Sequence, residues 1–129
     1  MNEQNFQNNP GVEKPGMVTA IAIMTLVNGV LNILYALSVT FGIVLGTLGF
    51  GLLCAPITIL PGVLGIFEII YATQLLSMPT RAVKPNQTLA ILEIVAVASG
   101  NVISLIVGIL ALVFYNDPSV REYFRKINP

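Results

Sequence analysis

Three long apolar stretches dominate the chain, at 17–40, 56–76 and 88–115. The last of them contains one charged residue, Glu93, and ends at a polar Asn-Asp-Pro sequence. An apolar run longer than about 18 residues is typical of a membrane span, because it fills a hydrocarbon core about 30 Å thick. The pattern therefore predicts an all-α integral membrane helical bundle with three transmembrane helices.

The segment 41–55 is also apolar but rich in glycine. It fits an extension of the first helix, a re-entrant loop, or a short span of its own. Irregular backbone at membrane depth is tolerated only where protein or trapped water satisfies its polar groups. We expect a helix extension followed by a tight turn near Gly49-Phe50-Gly51 on the non-cytoplasmic side.

The third stretch has an alternative interpretation, a turn at Ser99-Gly100-Asn101 that would give four hydrophobic helices. Glycine and asparagine both tolerate the backbone angles of a turn. A faint repeat favours it, since 63–79 resembles 106–120 with Gly65 aligned on Gly108. The two resulting helices would fall short of the roughly 20 residues that a span needs. We therefore expect one continuous helix.

The basic residues distinguish these two topologies. With three spans they divide evenly between the two sides, so the positive-inside rule selects no orientation. With the turn, all six lie on one side. They are Lys14, Arg81, Lys84, Arg121, Arg125 and Lys126.

A short amphipathic helix is predicted in the C-terminal segment 117–129. Asp117 is a good N-cap and Pro118 a good first helical residue. The apolar residues Val120, Tyr123 and Phe124 share one face of this helix, and we expect the helix to lie at the lipid headgroup boundary. Three basic side chains would meet anionic lipid there, at about 1 kcal/mol each. They are Arg121, Arg125 and Lys126.

The polar residues of the first span recur at helical spacing, which places them on one face, toward protein. They are Thr25, Asn28, Asn32 and Tyr35. Asn28 and Asn32 lie near the predicted midplane, where a buried amide usually hydrogen-bonds to another helix. Coordination of an ion or polar substrate is the functional alternative. We favour the structural role, because no charge accompanies the amides on that face.

Two carboxyl groups, Glu68 and Glu93, are the candidate functional pair. An ionisable side chain inside a span is by default a functional-site hypothesis. The polar loop between their helices places both at similar depth, with Glu93 nearer the interface. Two adjacent carboxyls would suit a proton relay. We favour the simpler interpretation, in which Glu93 reaches the headgroups while Glu68 hydrogen-bonds an amide, with Asn28, Asn32 and Gln74 as candidates.

Small residues recur at every fourth position of the third stretch, so they form one stripe on a continuous helix and predict close contact with another helix. They are Ala96, Gly100, Ser104 and Gly108. Asn101 lies beside them as a further intramembrane polar candidate. We expect Gly100 and Asn101 to face protein in either topology.

Composition supports the membrane class and narrows the chemistry. Hydrophobic residues make up 55% of the chain and charged residues 9%, with a net charge of zero. A nucleic-acid-binding surface is therefore not expected. Histidine is absent and the single cysteine, Cys54, forms no intrachain disulfide. No motif for catalysis, metal or cofactor binding is present, so we predict no enzyme, no metal and no cofactor.

The polar segment 1–16 precedes the predicted transmembrane domain at 17–116. It buries too little apolar surface to offset its ordering entropy, so we expect it to be disordered. A cleaved signal peptide is the alternative. It is disfavoured because the pre-helical region has no net positive charge and the apolar run exceeds a signal's length.

The sequence GILALVFYNDPSVREYF at 108–124 resembles the tail of small bacterial multi-span membrane proteins of uncharacterised function. The resemblance implies a bacterial inner membrane and no particular activity. We therefore predict a non-enzymatic accessory or structural subunit, whose partners are the lipid bilayer and either another membrane protein or further copies of itself. No small-molecule substrate is identified. The alternative is a small oligomeric transporter or channel that uses the intramembrane carboxyls.

Overall fold

The computed structural model describes residues 12–77 and 83–128, and every regular element in these ranges is helical. The α-helices are α1 (Gly16–Gly46), α2 (Ala55–Leu76), α3 (Gln87–Val95), α4 (Val102–Tyr115) and α5 (Pro118–Ile127). Short 3₁₀ segments, Phe50–Cys54 and Ala96–Ser99, precede α2 and follow α3. The all-α fold is confirmed. The predicted disordered tail lies largely outside the described residues, as does Arg81.

The first two helices form a long antiparallel hairpin. A Cβ atom added to Gly29 would lie 2.7 Å from the carbonyl oxygen of Gly65, so only glycines allow this approach. Further along the hairpin, the hydroxyls of Thr40 and Thr58 form a hydrogen bond of 2.7 Å. The helix extension and turn predicted for 41–55 are confirmed, because α1 runs to Gly46 and Gly49 then takes a left-handed φ of 97°.

The prediction of one helix across 88–115 is wrong. The chain reverses at Gly100, whose φ of +86° is left-handed and suits glycine. Asn101 then caps α4, since its side-chain oxygen accepts from the backbone N–H of Ser104 at 3.1 Å. The result is a short hairpin of α3 and α4, which is the four-helix alternative. Gly100 ends one helix and Asn101 begins the next, whereas the length of the apolar run alone predicted one continuous helix.

The short hairpin repeats the contact of the long one. A Cβ on Gly108 would approach the Ala90 carbonyl at 2.5 Å, with Glu93 and Ile94 beside it. A Cβ on Gly65 would meet Gly29, Asn32 and Ile33 in the same relative positions. The repeat that aligned Gly65 with Gly108 in the sequence thus corresponds to two similarly packed hairpins.

The hairpins differ in length. Tyr35, in the middle of α1, donates its hydroxyl hydrogen to the carbonyl of Ser99 at the end of the short hairpin. From there α1 continues to Gly46 without a neighbour from α3 or α4 that covers it, and Phe41 and Leu45 are exposed. At about 1.5 Å per residue, α4 is about 20 Å long, less than a membrane core.

Two segments, Gly16–Gly46 and Phe50–Leu76, are long and apolar enough to cross a membrane. A third exists only if α4 and α5 count as one span despite a 76° bend between them. Leucine, isoleucine, valine and phenylalanine side chains are exposed around the bundle. These lengths and surfaces are those of a membrane protein.

The hydrophobic core lies at the end of the bundle where α1 begins and α4 ends. Val18 and Ile21 of α1 pack there with Leu75 of α2 and Leu89 of α3. Just before the start of α1, the Lys14 ammonium donates a hydrogen bond to the Leu75 carbonyl near the end of α2. We call this the basic end, because Lys14, Lys84 and the cationic residues of α5 all lie there.

The predicted amphipathic helix α5 is confirmed, with Asp117 accepting from the backbone N–H of Ser119 at 2.8 Å. Ser119 also holds the pKa of Asp117 below its usual value. Its apolar face packs on protein, and the position of the helix at the headgroup boundary stays a prediction. Val120, Tyr123 and Phe124 are at most 5% exposed and close the hydrophobic core at the basic end. These residues pack on a core that the two hairpins form together, and the sequence of α5 alone does not reveal that core.

Candidate functional site

A buried polar network lies where the two hairpins meet. Every helix of the four contributes: Asn28 and Asn32 come from α1, Glu68 from α2, Glu93 from α3, and Ser104 from α4. Asn101, the cap of α4, completes it. All six side chains are at most 7% exposed. The two asparagines of α1 and the two glutamates are at most 1% exposed.

Helical spacing positions these groups. Asn28 and Asn32 are four residues apart, so they stack on the α1 face that the sequence predicted to meet protein. Thr25 is buried on the same face and Tyr35 bonds to the short hairpin, which confirms that prediction. The close glycine contact at Gly29 brings the α2 backbone near enough for Glu68 to reach both amides.

Glu68 is the acceptor at the centre of the network. Its Oε1 accepts from the side-chain amides of Asn28 at 3.0 Å and Asn32 at 2.9 Å. Its Oε2 accepts from Asn32 at 2.9 Å. The hydrogen bonds to the two asparagines that the sequence favoured are therefore present, whereas no bond to Gln74 is found among the described residues.

The short hairpin supplies the donors on the far side of the amides. Ser104 donates its hydroxyl to the Oδ1 of Asn32 at 2.9 Å and to that of Asn28 at 3.2 Å. Asn101 donates its side-chain amide to the Oδ1 of Asn32. Through four hydrogen bonds, Asn32 thus connects α1 with α2 of its own hairpin and with the short hairpin.

The expectation that Glu93 reaches the headgroups is wrong. It is 1% exposed, and its carboxyl lies beside that of Glu68. Glu93 lies six residues after the start of α3 and beside Gly108 of α4, so its side chain is well within the bundle. The structure thus brings together the two carboxyls that the sequence paired by their depth.

Glu93 lacks a donor. Its buried Oε2 has no hydrogen-bond partner among the described residues. The nearby hydroxyls of Tyr71 and Tyr115 are engaged elsewhere, since Tyr115 donates to Tyr71 at 3.0 Å and Tyr71 donates to the Lys84 carbonyl at 3.1 Å. Within 12–77 and 83–128 the only ion pairs join Glu122 to Arg125 and Lys126 on α5. No cation from these ranges therefore compensates the carboxyl pair.

The four small residues predicted as one stripe separate into two groups. Ser104 and Gly108 are buried on α4, where Ser104 is a hydrogen-bond donor rather than a spacer. Ala96 and Gly100 lie at the turn, and Gly100 is exposed although Asn101 beside it is buried. A Cβ built on Gly100 would nevertheless lie 3.2 Å from the Tyr35 hydroxyl, so both residues face protein as expected.

Sequence reasoning missed the polar roles of Ser104, Tyr71 and Tyr115. An asparagine directly before an apolar run, Asn101, is the signal that indicates a capped helix start, and Ser104 lies in the first turn of that helix. The predicted headgroup residues Arg121, Arg125 and Lys126 are exposed on α5, and their contact with lipid stays a prediction. Among the described residues no three metal-ligating side chains of the His, Cys, Asp or Glu type come together.

Comparison of the chain with models of protein families, with curated proteins and with solved structures gives no match.

Proposed function

We propose that this protein is a non-enzymatic, multi-pass membrane protein that acts as an accessory or structural subunit, packing against another helix in the bilayer. The unequal length of its hairpins carries the proposal. Where the short hairpin ends, α1 and α2 continue with apolar surfaces that nothing in the described chain covers.

A groove marks the place where such a helix would pack. It has a volume of about 370 Å³ and lies between α2 and the end of α3. Small residues line part of it, among them Pro61, Ala96, Ala98 and Ser99. Helix association in membranes relies on close van der Waals contact, which small residues permit. The groove therefore favours a helix over simple lipid contact.

The basic residues support one orientation. All of those described lie at the basic end, with Lys14 before α1, Lys84 before α3 and the others on α5. By the positive-inside rule this end is cytoplasmic. Both termini would then lie in the cytoplasm, and the resemblance of the C-terminal segment supports a bacterial inner membrane as the location. Terminal topology reporters test this orientation, which reporters on opposite sides would contradict.

Mass measurement of the intact protein, extracted in mild detergent from its native membrane, tests the accessory role. We expect a complex of fixed composition that Ala98→Trp disrupts by filling the groove. Ile106→Trp is the control, because Ile106 is exposed on α4 away from the groove. Another protein in the complex supports the accessory role, and further copies of this chain support self-packing. A monomer that neither variant changes contradicts both.

A small oligomeric transporter is the second candidate, favoured by the unpartnered Glu93 oxygen. The network is sealed from the surface in one chain, so a path would need a second copy or an opening of the hairpins. Proton flux into vesicles containing the purified protein tests it. Transport predicts flux that Glu93→Gln abolishes and Asp117→Asn, at the exposed α5 cap, leaves intact. Absence of flux in the unchanged protein refutes this candidate.

A further inference from the structure

The hydrogen bonds of the buried network have a fixed direction. The Oδ1 of Asn101 accepts from the backbone N–H of Ser104, and a backbone N–H can only donate. The other end of that amide, Nδ2, must therefore face Asn32. Asn32 in turn presents its Oδ1 to Asn101 and its Nδ2 to Glu68.

This direction makes Glu68 the acceptor at which the chain of donors ends. Three hydrogen bonds from two amides reach its oxygens. A carboxylate only accepts hydrogen bonds, whereas a protonated carboxyl has an O–H group that needs an acceptor. The amides therefore stabilise Glu68 in its ionised form.

Glu93 is in the opposite situation. It is 1% exposed and no described donor reaches its Oε2. A second carboxylate here would be desolvated and would repel Glu68, with no cation from residues 12–77 and 83–128 to compensate either charge. A proton on Glu93 removes both penalties, because the carboxyl becomes a donor for the neighbouring Glu68 carboxylate.

We propose that the network is a proton-binding site, in which Glu93 holds one proton and donates it in a hydrogen bond to the Glu68 carboxylate. The unpartnered oxygen of Glu93 and the anchored direction of the amides support this assignment independently of each other. The other titratable groups near Glu93 are the hydroxyls of Tyr71 and Tyr115. They stay neutral partners of each other and of the Lys84 carbonyl.

Infrared spectroscopy of the full-length protein in membranes at neutral pH tests the site. We expect the unchanged protein to show the carbonyl stretch of a protonated carboxylic acid, equivalent to one group per chain. Glu93→Gln should lose this band completely and keep its fold, because the glutamine amide donates to Glu68 as the proton did. Asp117→Asn, in an exposed and ionised cap, should leave the band unchanged.

Glu68→Gln distinguishes the two members of the pair. The band should remain in this variant, because no donor from the described residues reaches the Glu93 Oε2 to stabilise a charge there. If Glu68→Gln fails to fold, the comparison of the unchanged protein with Glu93→Gln still decides the question. Absence of the band in the unchanged protein, or its persistence in Glu93→Gln, overturns the proposal.

Discussion

Asn32 is the residue whose replacement the structure predicts to be most costly in the polar network. Its Nδ2 donates to both oxygens of Glu68 at 2.9 Å, and its Oδ1 accepts from Ser104 at 2.9 Å and from Asn101. Asn32→Leu keeps a similar volume and removes all of these bonds. It also leaves the Glu68 carboxylate with Asn28 as its single amide donor among the described residues.

The expected loss follows from the kinds of bond involved. A hydrogen bond to a charged group contributes about 1.5 to 3 kcal/mol. Hydrogen bonds between neutral side chains in membrane proteins average about 0.6 kcal/mol. One charge-assisted interaction and two neutral bonds together give about 3 kcal/mol for Asn32→Leu. Asn28→Leu breaks one bond to Glu68 and a longer one from Ser104, so it should cost about 2 kcal/mol.

Reversible unfolding in mixed micelles, followed by circular dichroism, measures these losses. Asn116→Leu is the matched control, because Asn116 is exposed and bonds only to the Leu112 carbonyl of its own helix. It should change the free energy of unfolding by about 0.5 kcal/mol. The reasoning fails if Asn32→Leu costs no more than this control, or if Asn28→Leu costs more than Asn32→Leu.

Three further predictions use the same unfolding measurement. Gly108→Ala would place a Cβ 2.5 Å from the Ala90 carbonyl and should cost about 1 to 3 kcal/mol by overpacking. Gly42→Ala, with open space around it, should stabilise the fold slightly. Equal effects of the two variants would contradict the close hairpin contact. Gly100→Ala should cost about 1 to 2 kcal/mol because of its positive φ, and a neutral result would contradict the turn. Phe124→Ala should cost about 3 kcal/mol if α5 packs on the core, and less than about 1 kcal/mol if its face meets lipid instead.

Local patterns predicted those parts of the fold that depend on one helix alone. The polar face of α1 follows from side chains three and four residues apart, and the cap of α5 follows from Asp117 and Pro118. The extension of α1 and its turn follow from the glycines after Phe41. Each of these features is decided by backbone geometry and side-chain direction within a single element.

The break at Gly100 depended on a competition that the sequence did not decide. Apolar length favoured one helix, whereas charge distribution and the internal repeat favoured a turn. The structure shows what outweighs length: Asn101 caps α4 and its amide joins the buried network, so the turn gains hydrogen bonds that a continuous helix would forgo. Those bonds involve α1, which lies some 70 residues away and contributes nothing to a local pattern.

The environments of Glu93 and of the α5 face were unpredictable for the same reason. Burial of Glu93 depends on its contact with α4 at Gly108, and the burial of Phe124 depends on the hairpins below it. Depth along a helix was therefore a good guide to which carboxyls meet. It was a poor guide to what surrounds them.

Cysteine labelling in intact membranes tests most directly that two hairpins of unequal length enter from the basic end. Single cysteines at Leu48, Lys84 and Ala98 are introduced into a Cys54→Ser background, which removes the one native thiol. A hairpin about 20 Å deep ends inside a core about 30 Å thick. We predict labelling of position 84 from the cytoplasm, of position 48 from the opposite side, and of position 98 from neither side until detergent is added. Labelling of positions 48 and 84 from the same side, or of position 98 together with position 48, would contradict this arrangement.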